Sequence, residues 1–403
     1  MPPAPKPSAL PTGTTRTRDL RGATRLARDA TLGLADLVEA MHERIARLPG
    51  LPAPAQAGRT SGITGWVYRS VRGVTRVAGG SVDTLLGLLG SALEPASGAE
   101  RPPLPQREAL VAALNGVLGD HLAATANPLA TPMSLRQDGQ ALPLADAAAL
   151  AARLPQAKGD VLVLVHGLCM NDLQWTRKGH NHGLALAASR GFVPVFAHYN
   201  SGQAITDNGL ALAQQLDQLV AHWPGSVRRL LLVGHSMGGL VARSALHQGQ
   251  ATGQAWPALV SDLVTLGTPH TGAPLEKAGH WIDIVLGATP YAAPLARIGR
   301  VRSAGIVDLR HGTVLRDATI AVPLPQGVRC FAMASTLGQQ PGNTKGRLLG
   351  DGLVPLASAL GRHRDPARRL AFAPERQWTG QGIGHLDLLS DPDVAAQLHA
   401  WLA

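Results

Sequence analysis

"RRLLLVGHSMGGLVARSAL" spans residues 228–246. Its first half is continuously apolar, and its second half places Leu240, Val241 and Ala245 at helical spacing. Leu230 to Val233 therefore predict a buried strand, Met237 to Leu246 a helix, and Ser236 the corner between them. With 46 glycines in the chain, a Gly-x-Ser-x-Gly match arises readily by chance, so its flanks must decide its meaning. A serine at such a corner is pushed into the open at the C-terminal edge of a sheet. The following N–H, that of Met237, points at the same place from a helix N-terminus, where an oxyanion is stabilised. Gly234 clears room on the strand side of the turn, and Gly238 with Gly239 on the helix side.

The same pattern repeats outward. "DVLVLVHG" (160–167), "FVPVFAHYN" (192–200), "VSDLVTLGTP" (260–269) and "VRCFAMAS" (328–335) are further apolar, β-branched runs. Between them lie a polar, Ala-rich "HNHGLALAASRG" (180–191) and a helical "ALAQQLDQLVAHW" (211–223). Near-continuous apolar strands alternating with helices predict an α/β fold with a mainly parallel sheet covered on both faces. "MSLRQDGQALPL" (133–144) reads as a hairpin turning at Asp138-Gly139. Residues 273–327 show no alternation and are long for a loop, which predicts a cover over the sheet edge.

The N-terminal part differs. Residues 1–20 read as a flexible, Pro-rich tail. Apolar residues then recur every three or four positions from Arg25 to Leu48, from Trp66 to Leu93 and from about Arg107 to Ala124. The expected organisation is a tail (1–20), an α-helical accessory region (21–125) and a catalytic α/β domain (130–403). The helical stripes pack on the protein in the plainer reading. In the other, Arg21, Arg25, Arg28, Arg69, Arg72 and Arg76 face anionic lipid headgroups.

The 403-residue chain is 16% charged and carries a formal net charge of +10. Low charge with 45% hydrophobic content rules against general disorder. No aromatic-interleaved basic strip occurs, so no nucleic-acid partner is expected. Two distant cysteines, Cys169 and Cys330, imply no disulfide framework. No apolar run reaches the length of a membrane span, and the N-terminus lacks the apolar core of a signal peptide. A cytoplasmic location is expected, with peripheral membrane contact open and oligomeric state unassigned.

"GHSMGG" resembles the nucleophile elbow of the α/β-hydrolase family, in its lipase and esterase branch. "VLVLVHGLCMND", "LGTPHTGAP" and "DGLVP" resemble that branch too, and the likeness runs over residues 155–403. The resemblance implies a serine nucleophile, an acid after a later strand and a histidine near the C-terminus, in that order. Ser236, Asp351 in "LLGDGLVP" and His385 in "GIGHLDLL" occupy those places. The serine needs a base for its proton, and the base needs an anion to hold its tautomer. The oxyanion donors implied are the N–H groups of Leu168 and Met237, with His166 and Gly167 supporting the loop. Asp308 and Asp317 are rival acids. His270 is read as structural or pocket-lining, Cys169 as a packing residue, and His235 as pointing away from the nucleophile. His180-x-His182 is too weak a signal for a metal, and the scheme uses neither metal nor cofactor.

The resemblance implies a serine esterase or lipase. Trp281, Leu286 and their apolar neighbours would cover an acyl pocket, which favours lipidic or medium-chain esters as the small-molecule substrate. An acyltransferase or a polyester depolymerase would use the same residues, and a non-catalytic relative would keep the fold alone.

Overall fold

The computed structural model describes residues 18–29, 32, 105–273, 303–317, 320–338 and 350–402. The chain divides into two units, one of residues 1–100 with 124–130 and one of residues 101–123 with 131–403. In the first, residues 18–29 are helical, so the helix begins inside the stretch expected to be tail. Within it Arg25 donates to the Ala126 carbonyl (3.0 Å) and Asn127 to that of Gly22 (3.0 Å). The helical periodicities at 33–48 and 66–93 lie outside the described residues.

Among the described residues of the second unit are eight strands: β1 (Ser134–Gln137), β2 (Gln140–Ala141), β3 (Asp160–Val165), β4 (Val193–His198), β5 (Arg229–His235), β6 (Val260–Leu266), β7 (Arg329–Thr336) and β8 (Gln377–Gln381). They form one sheet in the order β2-β1-β4-β3-β5-β6-β7-β8. From β4 to β8 every pairing is parallel, and β1 pairs antiparallel with both β2 and β4. The hairpin turns at Asp138 (φ 53°) and Gly139 (φ 73°), both left-handed as the tightest hairpin turn requires.

The helices are α1 (Pro105–Ala124), α2 (Ala147–Arg153), α3 (His182–Arg190), α4 (Ile205–His222), α5 (Met237–Ala251), α6 (Ala304–His311), α7 (Leu356–Ala359) and α8 (Pro392–Trp401). They explain the unbroken apolar runs. Leu230 and Leu232 of β5 join one buried cluster with Leu216 of α4 and Val241 of α5. Leu231 and Val233 join the other with Leu186 of α3 and Leu398 of α8. Each such leucine contributes about 1.5–3 kcal/mol, so neither face of the strand tolerates a polar residue.

One expectation needs correction, and two elements carried no expectation. Helix α1 was assigned to the accessory region, but Ala113 and Val117 are buried in the sheet's own core, so it belongs with the α/β unit. Its apolar stripe showed that it packs, not what it packs on. The polar, Ala-rich segment is helix α3, started by the Asn181 side chain accepting the Leu184 N–H (3.1 Å). Strand β8, "QWTGQ", was not anticipated, because a short, half-buried edge strand shows no apolar run. Of the expected cover, residues 303–317 hold α6, while Trp281 and Leu286 lie outside the described residues.

The parallel strands end together. Chain order reverses across β4-β3-β5, and in open α/β sheets ligands bind beyond the strand ends at such a reversal.

Candidate active site

Ser236 stands between β5 and α5 with φ 55° and ψ −123°. A non-glycine residue held there costs about 1–3 kcal/mol, which only its surroundings can sustain. The surroundings are tight. A Cβ at Gly234 would lie 2.5 Å from the Gly239 Cα, and one at Gly238 would collide with the Val165 and His166 carbonyls. One at Gly239 would meet the Thr268 hydroxyl. The glycines are therefore the condition for the bend. The Ser236 hydroxyl is buried and bonded to no described protein group.

The β3 turn passes directly over it. A Cβ at Gly167 would lie 3.1 Å from the Ser236 Cβ and 3.2 Å from His235 Nδ1. Cys169 (φ 59°) lets the turn close, and its N–H donates to Ser201 Oγ (2.9 Å). Met170 N–H donates to the Gly167 carbonyl (3.3 Å). Among the described residues the N–H groups of Leu168 and Met237 have no partner, as a pair of oxyanion donors requires.

The turn is braced from behind. Tyr199 stacks on the His166 ring at 4.2 Å and donates its hydroxyl to the His166 carbonyl (2.7 Å). His166 Nδ1 contacts the Gly167 carbonyl at 2.8 Å, and burial lowers the ring to about 3, so it is neutral. Beyond it His198 Nδ1 lies 2.9 Å from Asp172 Oδ1, and Arg136 reaches Asp172 (3.4 Å) and Glu108 (3.3 Å). Burial pushes the Asp172 carboxyl up, but His198 and the Arg136 charge outweigh it and hold it below its usual value. Cys169 is buried with its thiol pushed up to about 12, as suits packing and not nucleophilic attack.

Asp351 follows β7 and His385 follows β8. Asp351 Oδ2 lies 2.7 Å from His385 Nδ1, and the His385 N–H donates to the Asp351 carbonyl (3.0 Å). The two are 3% and 4% exposed, so their attraction is little screened by water. Ser236 is drawn to them through β6. Its N–H donates to the Leu266 carbonyl (2.8 Å). At the next residue, Gly267, a Cβ would lie 3.0 Å from Asp351 Oδ2 and 3.2 Å from His385 Cε1. The Ser236 corner, Asp351 and His385 thus lie about the end of β6, at one rim of the sheet.

The rivals are otherwise occupied. Asp308 caps α4 by accepting the Ile205 N–H at 2.8 Å. His270 sits beneath the site, with Nε2 on Thr265 Oγ1 (3.1 Å) and Nδ1 on Arg243 (3.4 Å). His180 and His182 bond each other (2.9 Å), and His182 Nε2 meets the Leu388 carbonyl (3.0 Å). Tyr199, Ser201, Asp172 and His198 were not anticipated, nor was the bond of His182 to the Leu388 carbonyl. Polar residues at and just beyond the end of β4, and at the start of two helical turns, were the only trace they left in the sequence.

A tight turn after β3, the Ser236 corner after β5, Asp351 after β7 and His385 after β8 occur on one sheet whose strands β3 to β8 run parallel. Residues 156–322 also match the protein family described as the PGAP1-like alpha/beta domain. The described sheet and helices have the α/β-hydrolase fold. Solved structures similar to it include the mature lipase BlEst2 of Bacillus licheniformis, at 25% identity over 61% of this chain and 92% of that one (TM-score 0.41). EstA of Clostridium botulinum is 13% identical over 61% and 87% (TM-score 0.41). Naproxen esterase of Bacillus subtilis is 15% identical over 61% and 84% (TM-score 0.37). No curated protein matches the sequence. Among the described residues no helix is long and apolar enough to cross a membrane.

Proposed function

We propose that this α/β-hydrolase domain is a serine carboxylic-ester hydrolase acting through an acyl-enzyme. The observation that carries this reading is the buried Asp351–His385 contact at 2.7 Å beside the strained Ser236 corner. With Nδ1 committed to Asp351, the His385 ring presents Nε2 as its basic nitrogen. The Ser236 oxygen attacks the ester carbonyl carbon as its proton passes to Nε2. The carbonyl electron pair moves onto oxygen, where the Leu168 and Met237 N–H groups receive it. As the carbonyl re-forms, the alcohol leaves with the proton from Nε2. Water then attacks the acyl-serine by the same route and releases the acid.

Lipidic or medium-chain esters are the proposed substrates. The apolar sequence about Trp281, Ile284 and Leu286 supports this reading, since an apolar acyl pocket gains about 0.8 kcal/mol for each methylene it buries. A cytoplasmic location and contact of the basic N-terminal sequence with anionic membrane belong to the same proposal.

The test is fluorophosphonate labelling and hydrolysis of p-nitrophenyl butyrate by the wild type and Ser236→Ala. Labelling and turnover confined to the wild type are expected. Equal labelling of both would remove Ser236 from the chemistry.

A further inference from the structure

The residue immediately before the nucleophile is a histidine, and its ring is wholly buried. His235 Nε2 lies 3.0 Å from the main-chain carbonyl of His385, and the two rings are 4.8 Å apart. A carbonyl only accepts, so Nε2 carries the proton. The groups facing the ring leave no inducement to take a second one. They are His385 on the base loop, His166 on the oxyanion turn, Arg177 on the following loop and the edge of Trp175. Burial first, and then the His385 charge, push His235 well below the usual histidine value. Nδ1 is then a bare acceptor, buried against Gly167 without a partner. A leucine would avoid that unpaired nitrogen. What the histidine contributes instead is its Nε2–H.

We infer that His235 is a positioning residue, whose hydrogen bond to the His385 carbonyl ties the loop carrying the base to the nucleophile's own corner. His385 is thereby held at three points. Its N–H goes to the Asp351 carbonyl, its Nδ1 to Asp351 Oδ2, and its carbonyl to His235. The first two fix the base relative to the acid. Of the three, only the last links it to the residue beside Ser236. Shifting a reacting group by about 1 Å can cost about a hundredfold in rate, so this link bears on turnover more than on binding. The inference rests on the serine-hydrolase reading above.

The test compares His235→Leu, His235→Gln and Ser236→Ala with the wild type on p-nitrophenyl butyrate. Glutamine carries an N–H donor at about the reach of Nε2, whereas leucine fills the space without one. In His235→Leu, kcat is expected to fall about thirtyfold or more, with KM within about twofold. His235→Gln is expected to recover most of that loss. A His235→Leu enzyme with wild-type kcat, or a glutamine variant no better than leucine, overturns the inference while an inactive Ser236→Ala leaves the hydrolase reading standing. An active Ser236→Ala overturns both. Should the leucine variant not fold, long-range proton–nitrogen NMR on the wild type decides. The His235 ring is expected as the neutral Nε2–H form from pH 6 to 8, and an Nδ1–H form there would overturn the inference.

Discussion

Asp351 holds His385 with one carboxylate oxygen and its own loop with the other. Oδ2 lies 2.7 Å from His385 Nδ1, while Oδ1 accepts the N–H groups of Leu353 (3.0 Å) and Val354 (2.8 Å). The two backbone donors decide what Asp351→Asn does. The amide oxygen must stay on them, so the amide NH2 faces His385 and forces the ring proton onto Nε2. That nitrogen can then no longer take the serine proton. A fall in kcat of about 10³–10⁴ is expected, with the thermal midpoint little changed. Steady-state kinetics at pH 8 beside a melting curve check both.

The elbow glycines separate folding from catalysis. A Cβ at Gly238 runs into the fixed carbonyls of Val165 and His166, whereas one at Gly167 comes 3.1 Å from the Ser236 Cβ. Gly238→Ala is expected to destabilise the domain by about 3 kcal/mol, the upper end of overpacking costs. Gly167→Ala is expected to keep most of the stability and lose about tenfold or more in kcat, because the oxyanion turn must lift off the serine. Urea denaturation and turnover, measured on both, would show the opposite ranking if this account is wrong.

Acid should weaken the fold through its buried histidines. Burial lowers His166 to about 3 and His182 to about 4, and holds His235 and His270 well below the usual value of 6.5. Below about pH 6.5 the unfolded chain binds protons at these sites that the folded protein refuses. Each site then costs about 1.4 kcal/mol per pH unit until its own folded value is reached. Asp172, held low, adds its loss only further into acid, below the ordinary carboxylate range. The melting temperature is expected to be level from pH 8 to 7 and to fall steeply between 6.5 and 5. A level profile down to pH 5 would contradict the neutral assignment of these rings.

The cluster behind the oxyanion turn is a stability element. Asp172 is 4% exposed, with His198 at 2.9 Å and Arg136 at 3.4 Å. Asp172→Ala removes the anion and leaves its partners facing Glu108 alone. A loss of about 3 kcal/mol is expected, the lower end for breaking a buried pair. Chemical denaturation of the variant measures it, and a loss below about 1 kcal/mol would mean that the pair is effectively solvated.

Chain-length dependence tests the proposed substrate. With about 0.8 kcal/mol per buried methylene, kcat/KM for p-nitrophenyl esters should rise about fourfold per added methylene until the pocket is filled. A panel from two to sixteen carbons reads this directly. A fall beginning at the second carbon would point to small polar acyl groups instead.

Most of the sheet was legible because its signal is local. Strands β3 to β7 are runs such as "VLVLV" and "LLLVG", whose length and β-branching mark two-sided burial. The polar edge strand β8 escaped because it has no such run. Ser236, Asp351 and His385 stand out in the sequence as motifs at the ends of elements, each with a local reason for its neighbours. The partner of α1 was not legible, since an apolar stripe shows that a helix is buried and not against what. Nor were the braces. Tyr199 on His166, His198 on Asp172 and His182 on Leu388 join residues whose separation in sequence carries no trace of their contact.

By itself, then, the sequence determined the alternation of strands and helices and the bend at Ser236, because both follow from side-chain periodicity and from glycines that leave room for a corner. Only the tertiary structure decided which carbonyl meets which imidazole. The contact of Asp351 with His385, and that of His235 with the His385 carbonyl, depend on the register and burial of strands distant in the chain. Those are properties of packing, and no stretch of sequence contains them.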